Sequence, residues 1–344
     1  MNVKHIAAAA IMAAAVSTQS AMAKDNSDFN YVVDRFADIE VLRYKVPDFE
    51  KLTPRQKALV YYLTEAAITG RDILWDQNGK YNLPVRQLIE NVYTNYSGNK
   101  ESRQYKALEK YLKQIWFGNG IHHHYSMDKF VPEFDETFLR YEASKLPAGS
   151  QPADIDMLCK VIFDPSVLAK RVNQAEGEDL IVTSANNLYE GVTQKQVEDY
   201  YNALKDTTVV NPISYGLNAR VALVDGKVTE QPYRIGGMYS DAIERIVDNL
   251  KKARGYAEND KQAGVIDKLI EFYTTGDLAT FDDYSILWVE DTDSQVDFIN
   301  GFIESYGDPL GMTGSWESIV NFKNIPASRR TETLSANAQW FEDN

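Results

Sequence analysis

The chain has 344 residues, 44% of them hydrophobic and 25% charged, which is the composition of a folded globular protein with room for a large core. Its formal net charge of −14 argues against a nucleic-acid partner, because phosphate binding depends on Lys and Arg releasing counterions. Its single cysteine, Cys159, excludes an intramolecular disulfide, and the apolar Met157-Leu158-Cys159-Lys160-Val161-Ile162 setting fits a buried thiol better than a nucleophile.

The N-terminus reads as a secretory signal. Lys4 supplies the positive start, Ile6 to Val16 is an Ala-rich apolar run, and Ala21-Met22-Ala23 fits cleavage before Lys24. Removal of residues 1–23 takes away one lysine and leaves about −15 (−14 minus one). The expected location is periplasmic or secreted. No later stretch approaches the roughly 20 apolar residues of a transmembrane helix, so no membrane association is expected after cleavage.

A short extended lead-in is expected at 36–44. Thr53-Pro54-Arg55-Gln56 starts a helix, with Thr as cap, Pro at the first helical position and Gln three residues after the cap. That helix runs to Gly70. Pro84 opens a second with Val85, Leu88, Ile89 and Val92 on one face, and Ser102 to Lys113 forms a third. Next comes Trp116-Phe117-Gly118-Asn119-Gly120-Ile121-His122-His123-His124-Tyr125, which holds three of the chain's four histidines and is read as extended over 121–131. Adjacent strand residues face opposite ways, so at most His122 and His124 share one metal, whereas zinc normally takes three or four ligands from separated positions. Cleft-lining or hydrogen-bonded histidines are the competing reading.

Short helices are expected at 135–145 and 166–172, and Thr193-Gln194-Lys195-Gln196 repeats the capping-box spacing. Asp225-Gly226 between Ala219–Val224 and Lys227–Glu230 is a two-residue hairpin turn, with Pro232 ending the second strand. Helices follow from Ser240 and from Asp260 to Gly276. A strand is expected at Tyr284–Glu290, a helix at Ser294–Tyr306, and more helix at 316–322 and 329–341. The fold class is α+β, helix-rich around a small β-core.

No His-Glu-x-x-His, Gly-x-Ser-x-Gly, phosphate loop or dinucleotide fingerprint is present. Gly236-Gly237 before a helix suits an anion, but a plain turn has the same signature. Asp297, Asn300 and Glu304 are spaced i, i+3, i+7, which on a helix puts them on one face beside Gly301. A carboxylate stripe next to a glycine suits an ammonium group. A solvated acidic face has the same spacing.

Read together, Gln114 to Tyr125 with Lys129-Phe130-Val131-Pro132, then Tyr215-Gly216-Leu217-Asn218, Gly236-Gly237-Met238-Tyr239 and Asn300-Gly301-Phe302-Ile303-Glu304-Ser305-Tyr306-Gly307-Asp308-Pro309-Leu310-Gly311, resemble the bacterial branch of the dipeptidyl peptidase III family. The likeness runs from about Phe36 onward, in the family's order. It implies a two-lobed architecture, one lobe with a β-core and the other helical and carrying zinc. It also implies an exopeptidase that releases dipeptides from the N-terminus of short peptides, with zinc as cofactor. The family's zinc helix reads His-Glu-x-x-Gly-His or a longer variant, and this sequence contains no His-Glu pair. The resemblance places that helix beyond Asn344, so no catalytic or metal ligand is expected here and the isolated chain is expected to be inactive. The implied domains are 24–310, a substrate-binding lobe, and 311–344, the start of the zinc-carrying lobe.

The resemblance also implies an acidic side chain near the Gly-Phe-Ile-Glu run that holds the peptide's N-terminal ammonium. Counting back from Gly301 gives Asp297 for it, set against Glu-Ser-Tyr in the eukaryotic branch, with Asn300 and Glu304 as neighbours. The expected partners are therefore short peptides with a free N-terminus. Two other readings stay open: an exported peptide-binding module without catalysis, and a metal scavenger using His122 and His124.

Overall fold

The computed structural model describes residues 29–206 and 208–344, and the expected signal segment 1–23 lies outside them. The chain divides into two compact units, residues 1–46 and 47–344. In the first, β1 (Val32–Phe36) and β2 (Ile39–Leu42) form an antiparallel hairpin with an irregularity between Val32 and Asp34.

In the second unit, α1 (Pro54–Thr69) begins as its sequence predicts. The Thr53 side chain takes the amide of Gln56, and the Gln56 side chain takes the amide of Thr53. Then come α2 (Arg71–Asn78), α3 (Asn82–Asn95) and α4 (Arg103–Gly118), the last ended by Asn119 in the left-handed region at φ 48°. α5 (Glu136–Ser144) and α6 (Ile155–Phe163) pack on α3. Their shared core joins Val85, Leu88, Ile89, Leu108, Tyr111, Leu139 and Ile162. Cys159 lies in it, fully buried, and burial pushes its thiol up to about 11, as expected of an inert structural cysteine.

A three-stranded sheet follows, with order β3 (Tyr189–Glu190), β4 (Ala219–Val224) and β5 (Lys227–Pro232). β3 is parallel to β4, and β4 is antiparallel to β5 through the Asp225-Gly226 turn, where both residues have positive φ (50° and 76°). α7 (Gln194–Leu204), with a second reciprocal cap from Thr193 and Gln196, lies against β5.

The largest core is built by α1, α8 (Ser240–Arg254), α9 (Asp260–Thr275) and α10 (Leu278–Glu290) against a hairpin of β6 (Val296–Glu304) and β7 (Ser315–Phe322). Leu63, Ile246, Leu250, Leu269, Phe272, Phe302 and Trp316 meet in it. Helices α11 (Ile325–Ala336) and α12 (Ala338–Glu342) follow and bury no residue.

Four expected elements change here. Tyr284–Glu290 is the end of helix α10, not a strand: the Asp277 side chain caps the amide of Thr280, and Tyr284 is buried while Ile286 and Val289 are exposed, a helical sidedness. Ser294–Tyr306 is not a helix but contains strand β6, because Val296, Phe298, Asn300 and Phe302 are buried in alternation with half-exposed Asp297 and Ile299. Residues 316–322 form its partner strand rather than a helix, and the expected boundary at 310/311 falls between the two strands of this hairpin. Residues 166–172 are not helical, and Lys170 there pairs with Asp128 in a β-bridge.

Candidate functional site

β6 decides what the expected site residues can do. On the strand Asn300 faces away from Asp297, while the irregularity between Phe302 and Glu304 returns Glu304 to the Asp297 face but at the far end of the hairpin, so the three do not form one stripe, against expectation. Asn300 is only 2% exposed and belongs to the core. Its Oδ1 accepts from the Tyr273 hydroxyl, its Nδ2 donates to Ser318 Oγ at 3.1 Å, and Trp316 Nε1 donates to the same tyrosine oxygen at 3.3 Å. Those bonds hold β6, β7 and α9 together, and the amide is fully used within the fold.

Asp297 lies on the other, half-exposed face, and its Oδ1 is engaged. It accepts from Trp288 Nε1 on α10 at 3.0 Å and from the backbone amide of Phe298 at 2.8 Å. The carboxylate ties α10 to the hairpin.

The far end of the hairpin differs. The register pairs Gly301 with Glu317 and Glu304 with Ser315, with an irregularity between Phe302 and Glu304. Glu304 is exposed and Glu317 half-buried. Burial raises the Glu317 carboxyl above the usual glutamate range, and the charge of Glu304 raises it further. The same two carboxylates, after burial, raise the Tyr306 phenol, while Arg171 lowers it. Glu304, Glu317 and Arg171 thus each act on the Tyr306 phenol. Among the described residues, neither glutamate forms an ion pair with a lysine or arginine. Gly301, opposite Glu317, is buried, and a β-carbon there would be in ordinary contact with Phe281 at 3.5 Å and Ile303 at 3.6 Å.

The loop that presents Tyr306 is rigidly seated. Asn186 Nδ2 donates to the Gly307 carbonyl at 2.9 Å. Asp308, 1% exposed, accepts from the Tyr189 hydroxyl at 2.7 Å and from the amides of Leu310, Met312 and Thr313 at 2.7–3.0 Å. Gly314 follows because nothing larger fits: a β-carbon there would sit 2.7 Å from the Phe302 carbonyl carbon. Its amide reaches the Leu217 carbonyl at 2.7 Å, and its carbonyl accepts from Gln77 Nε2 at 3.0 Å. The Tyr215–Asn218 stretch quoted from the sequence thus meets the Asn300–Gly311 stretch in space.

The histidines divide as well. His122 is 2% exposed, bridged to Lys129, and its Nε2 contacts the Leu168 carbonyl at 2.8 Å. Burial lowers its pKa to about 4, so it is neutral at pH 7 with the proton on Nε2. His123 and His124 stack at 4.4 Å, and His124 sits edge-on to Phe117. Among the described residues no group of three or more His, Cys, Asp or Glu side chains is arranged to hold a metal ion. The residues present therefore do not fit a zinc site, and no step is assigned to zinc through them. Gly236 and Gly237 form a turn, with the Gly236 amide donating to Ser240 Oγ at 2.8 Å. Also among the described residues, no helix is long and apolar enough to cross a membrane.

Residues 224–342, which contain the hairpin, match peptidase family M49. Along 91% of its length the chain aligns with dipeptidyl peptidase 3 of Dictyostelium discoideum at 23% identity, and over 103 residues with the Homo sapiens dipeptidyl peptidase 3 at 35%. The chain thus carries an M49 segment and is similar to dipeptidyl peptidase III proteins. Its fold is similar to DPP III from Caldithrix abyssi, with a TM-score of 0.59, 17% identity, and coverage of 86% of this chain and 45% of the other. Dipeptidyl-peptidase III from Corallococcus sp. strain EGB gives a TM-score of 0.57 at 17% identity, covering 90% and 46%. These likenesses show the α+β fold. The chain spans about half the length of these relatives: 48% of the Dictyostelium protein, and 14% of the human one within the matched segment.

Sequence reading missed Glu317 and Arg171, the first because 316–322 was read as helix, the second because nothing in the sequence around it marks a site. One signal was available. Glu-Ser-Tyr, the family tripeptide set against Asp297-Phe298-Ile299, occurs in this chain at Glu304-Ser305-Tyr306, seven residues later.

Proposed function

We propose that this chain is the peptide-holding part of a zinc-dependent exopeptidase that releases dipeptides from the N-terminus of short peptides. The carrying observation is the pair Glu304 and Glu317 at one end of the hairpin beside Tyr306, where burial and then the charge of Glu304 raise the Glu317 carboxyl, with no lysine or arginine paired to either among the described residues. Such a pair is stabilised by an incoming ammonium, which relieves the repulsion and takes up the free acceptor positions. A free peptide N-terminus supplies that ammonium, and a blocked one does not. The register of an exopeptidase follows from this: the distance from the anchored terminus fixes which bond is presented for cleavage.

The anchor is thereby moved from Asp297 to Glu304, with Glu317 added. Asp297 already accepts two hydrogen bonds within the fold, and Asn300 is buried. Zinc, water activation and bond cleavage belong in this proposal to residues other than those described, since no metal-holding group occurs among them. That same observation favours the second reading, an exported peptide-binding module without catalysis. Export to the periplasm or outside the cell is proposed on residues 1–23 alone.

Calorimetry of this chain with a tetrapeptide and its N-acetylated form tests the anchor, with mass spectrometry of the mixture after added zinc. The expected result is binding of the free peptide only, with the peptide left intact. Equal affinity for both forms contradicts the anchor. Release of dipeptides by this chain contradicts the placement of the zinc chemistry elsewhere.

A further inference from the structure

Arg171 is unusual in a chain of net charge −14 with 50 acidic side chains. It is only 9% exposed, yet among the described residues no carboxylate pairs with it. Among the described residues its one side-chain bond is from Nε to the thioether sulfur of Met127 at 3.2 Å, a weak acceptor for a guanidinium. A buried charge without a partner is costly, and burial here works against the charged form. Among the described residues no hydrogen-bond acceptor faces the terminal amino groups of Arg171. They are the free half of the fork.

The backbone fixes this side chain in place. The Arg171 amide donates to the Met127 carbonyl at 2.8 Å, and the Asn186 amide donates to the Arg171 carbonyl at 3.2 Å. Asn186 also donates from its side chain to the Gly307 carbonyl at 2.9 Å. One residue thus joins the arginine's segment to the loop that carries Tyr306, and the guanidinium and the phenol lie within electrostatic reach of each other. Lys170 and Lys129, on the same bridged segments, are committed elsewhere. Lys170 faces Asp128 at 3.7 Å, and Lys129 donates to the carbonyls of Val161, Asp164 and Val167.

We propose that Arg171 is a second subsite, which takes a carboxylate of the bound peptide and makes this chain select acidic peptides. A planar guanidinium with its outer amines free matches a carboxylate in two parallel bonds. A phosphate dianion needs more than one cation, and Lys170 and Lys129 are engaged elsewhere. The Tyr306 phenol feels both the acidic groups assigned to the ammonium and the Arg171 assigned to the anion. The carboxylate comes from an acidic side chain or from the peptide's own C-terminus. This assignment rests on the peptide-binding reading above.

The test uses calorimetry of the full chain with tetra-alanine amide in which each position in turn carries Glu or Gln, together with tetra-alanine bearing a free C-terminus. We expect one Glu position, or the free C-terminus, to bind about tenfold tighter than its neutral counterpart. The position identifies the source of the carboxylate. Arg171→Met removes that ratio and leaves the affinity for neutral peptides within about twofold, whereas a merely structural arginine would weaken both alike. Should Arg171→Met not fold, Arg171→Lys decides: a smaller ratio supports the subsite, and an unchanged one overturns it. A ratio of one at every position in the unaltered chain also overturns it. Failure of the ammonium anchor is separately visible, since acetylation then costs nothing while the Glu/Gln ratio persists.

Discussion

The two ends of the β6–β7 hairpin hold similar side chains in opposite circumstances. At one end Asp297 and Asn300 are spent on Trp288, Tyr273, Ser318 and the backbone. At the other, Glu304 and Glu317 oppose each other beside Tyr306, with no basic side chain paired to them among the described residues. Polar groups satisfied within the fold stabilise it and leave little for a ligand. Like charges held together by the fold cost stability until something of opposite charge arrives. The difference between structural and functional acids in this chain is therefore one of hydrogen-bond partners, more than of spacing or residue type.

The largest effect expected on the structural side is at Asp308, which seats the loop between the strands. Asp308→Ala leaves the Tyr189 hydroxyl and three amides without their acceptor and should cost about 3 kcal/mol or more in urea unfolding. A loss below about 1 kcal/mol would show that the loop holds itself. The sequence quotes Asp308-Pro309 only as part of a family-like run. Its burial depends on Tyr189, more than a hundred residues earlier, so no local pattern discloses it.

His122 gives an effect of similar size, spread over pH. Its folded pKa is lowered from 6.5 to about 4, so on acidification the unfolded chain takes up a proton before the folded chain does. Stability is therefore fully present above pH 6.5 and falls by roughly 3 kcal/mol as pH drops toward 4. His122→Gln keeps a donor for the Leu168 carbonyl and removes the titration. Its unfolding free energy should vary less between pH 7 and pH 4 than that of the unaltered chain, and parallel profiles would contradict the burial argument.

Asn300→Ala should cost about 2 kcal/mol, since Ser318 loses a partner and the Tyr273 hydroxyl loses an acceptor. Calorimetric melting checks it, and an unchanged midpoint would return Asn300 to the list of candidate ligand contacts. Smallest of all, Asp297→Asn retains an oxygen for Trp288 and should change both stability and peptide affinity by less than about 1 kcal/mol.

Helix starts and the tight hairpin were legible because each is specified locally. Thr53 with Gln56, Thr193 with Gln196, and Asp225-Gly226 all form as their residues dictate. The errors came where one periodicity masked another. Asp297, Asn300 and Glu304 fit a helical spacing only when the alternation of Val296, Phe298 and Phe302 around them is ignored. Ile286-Leu287-Trp288-Val289 has the β-branched and aromatic content of a strand, yet the cap at Asp277 commits it to a helix. Arg171 reaches Tyr306 only through contacts with Met127 and Asn186, which no sequence spacing displays.

The measurement that bears most directly on the account is the affinity lost on N-acetylating a short peptide, compared in the unaltered chain, Glu304→Gln and Asp297→Asn. We predict that acetylation costs tenfold or more in the unaltered chain and in Asp297→Asn, and close to nothing in Glu304→Gln. Loss of discrimination in Asp297→Asn, with Glu304→Gln unaffected, would contradict the assignment and return the anchor to the other end of the strand.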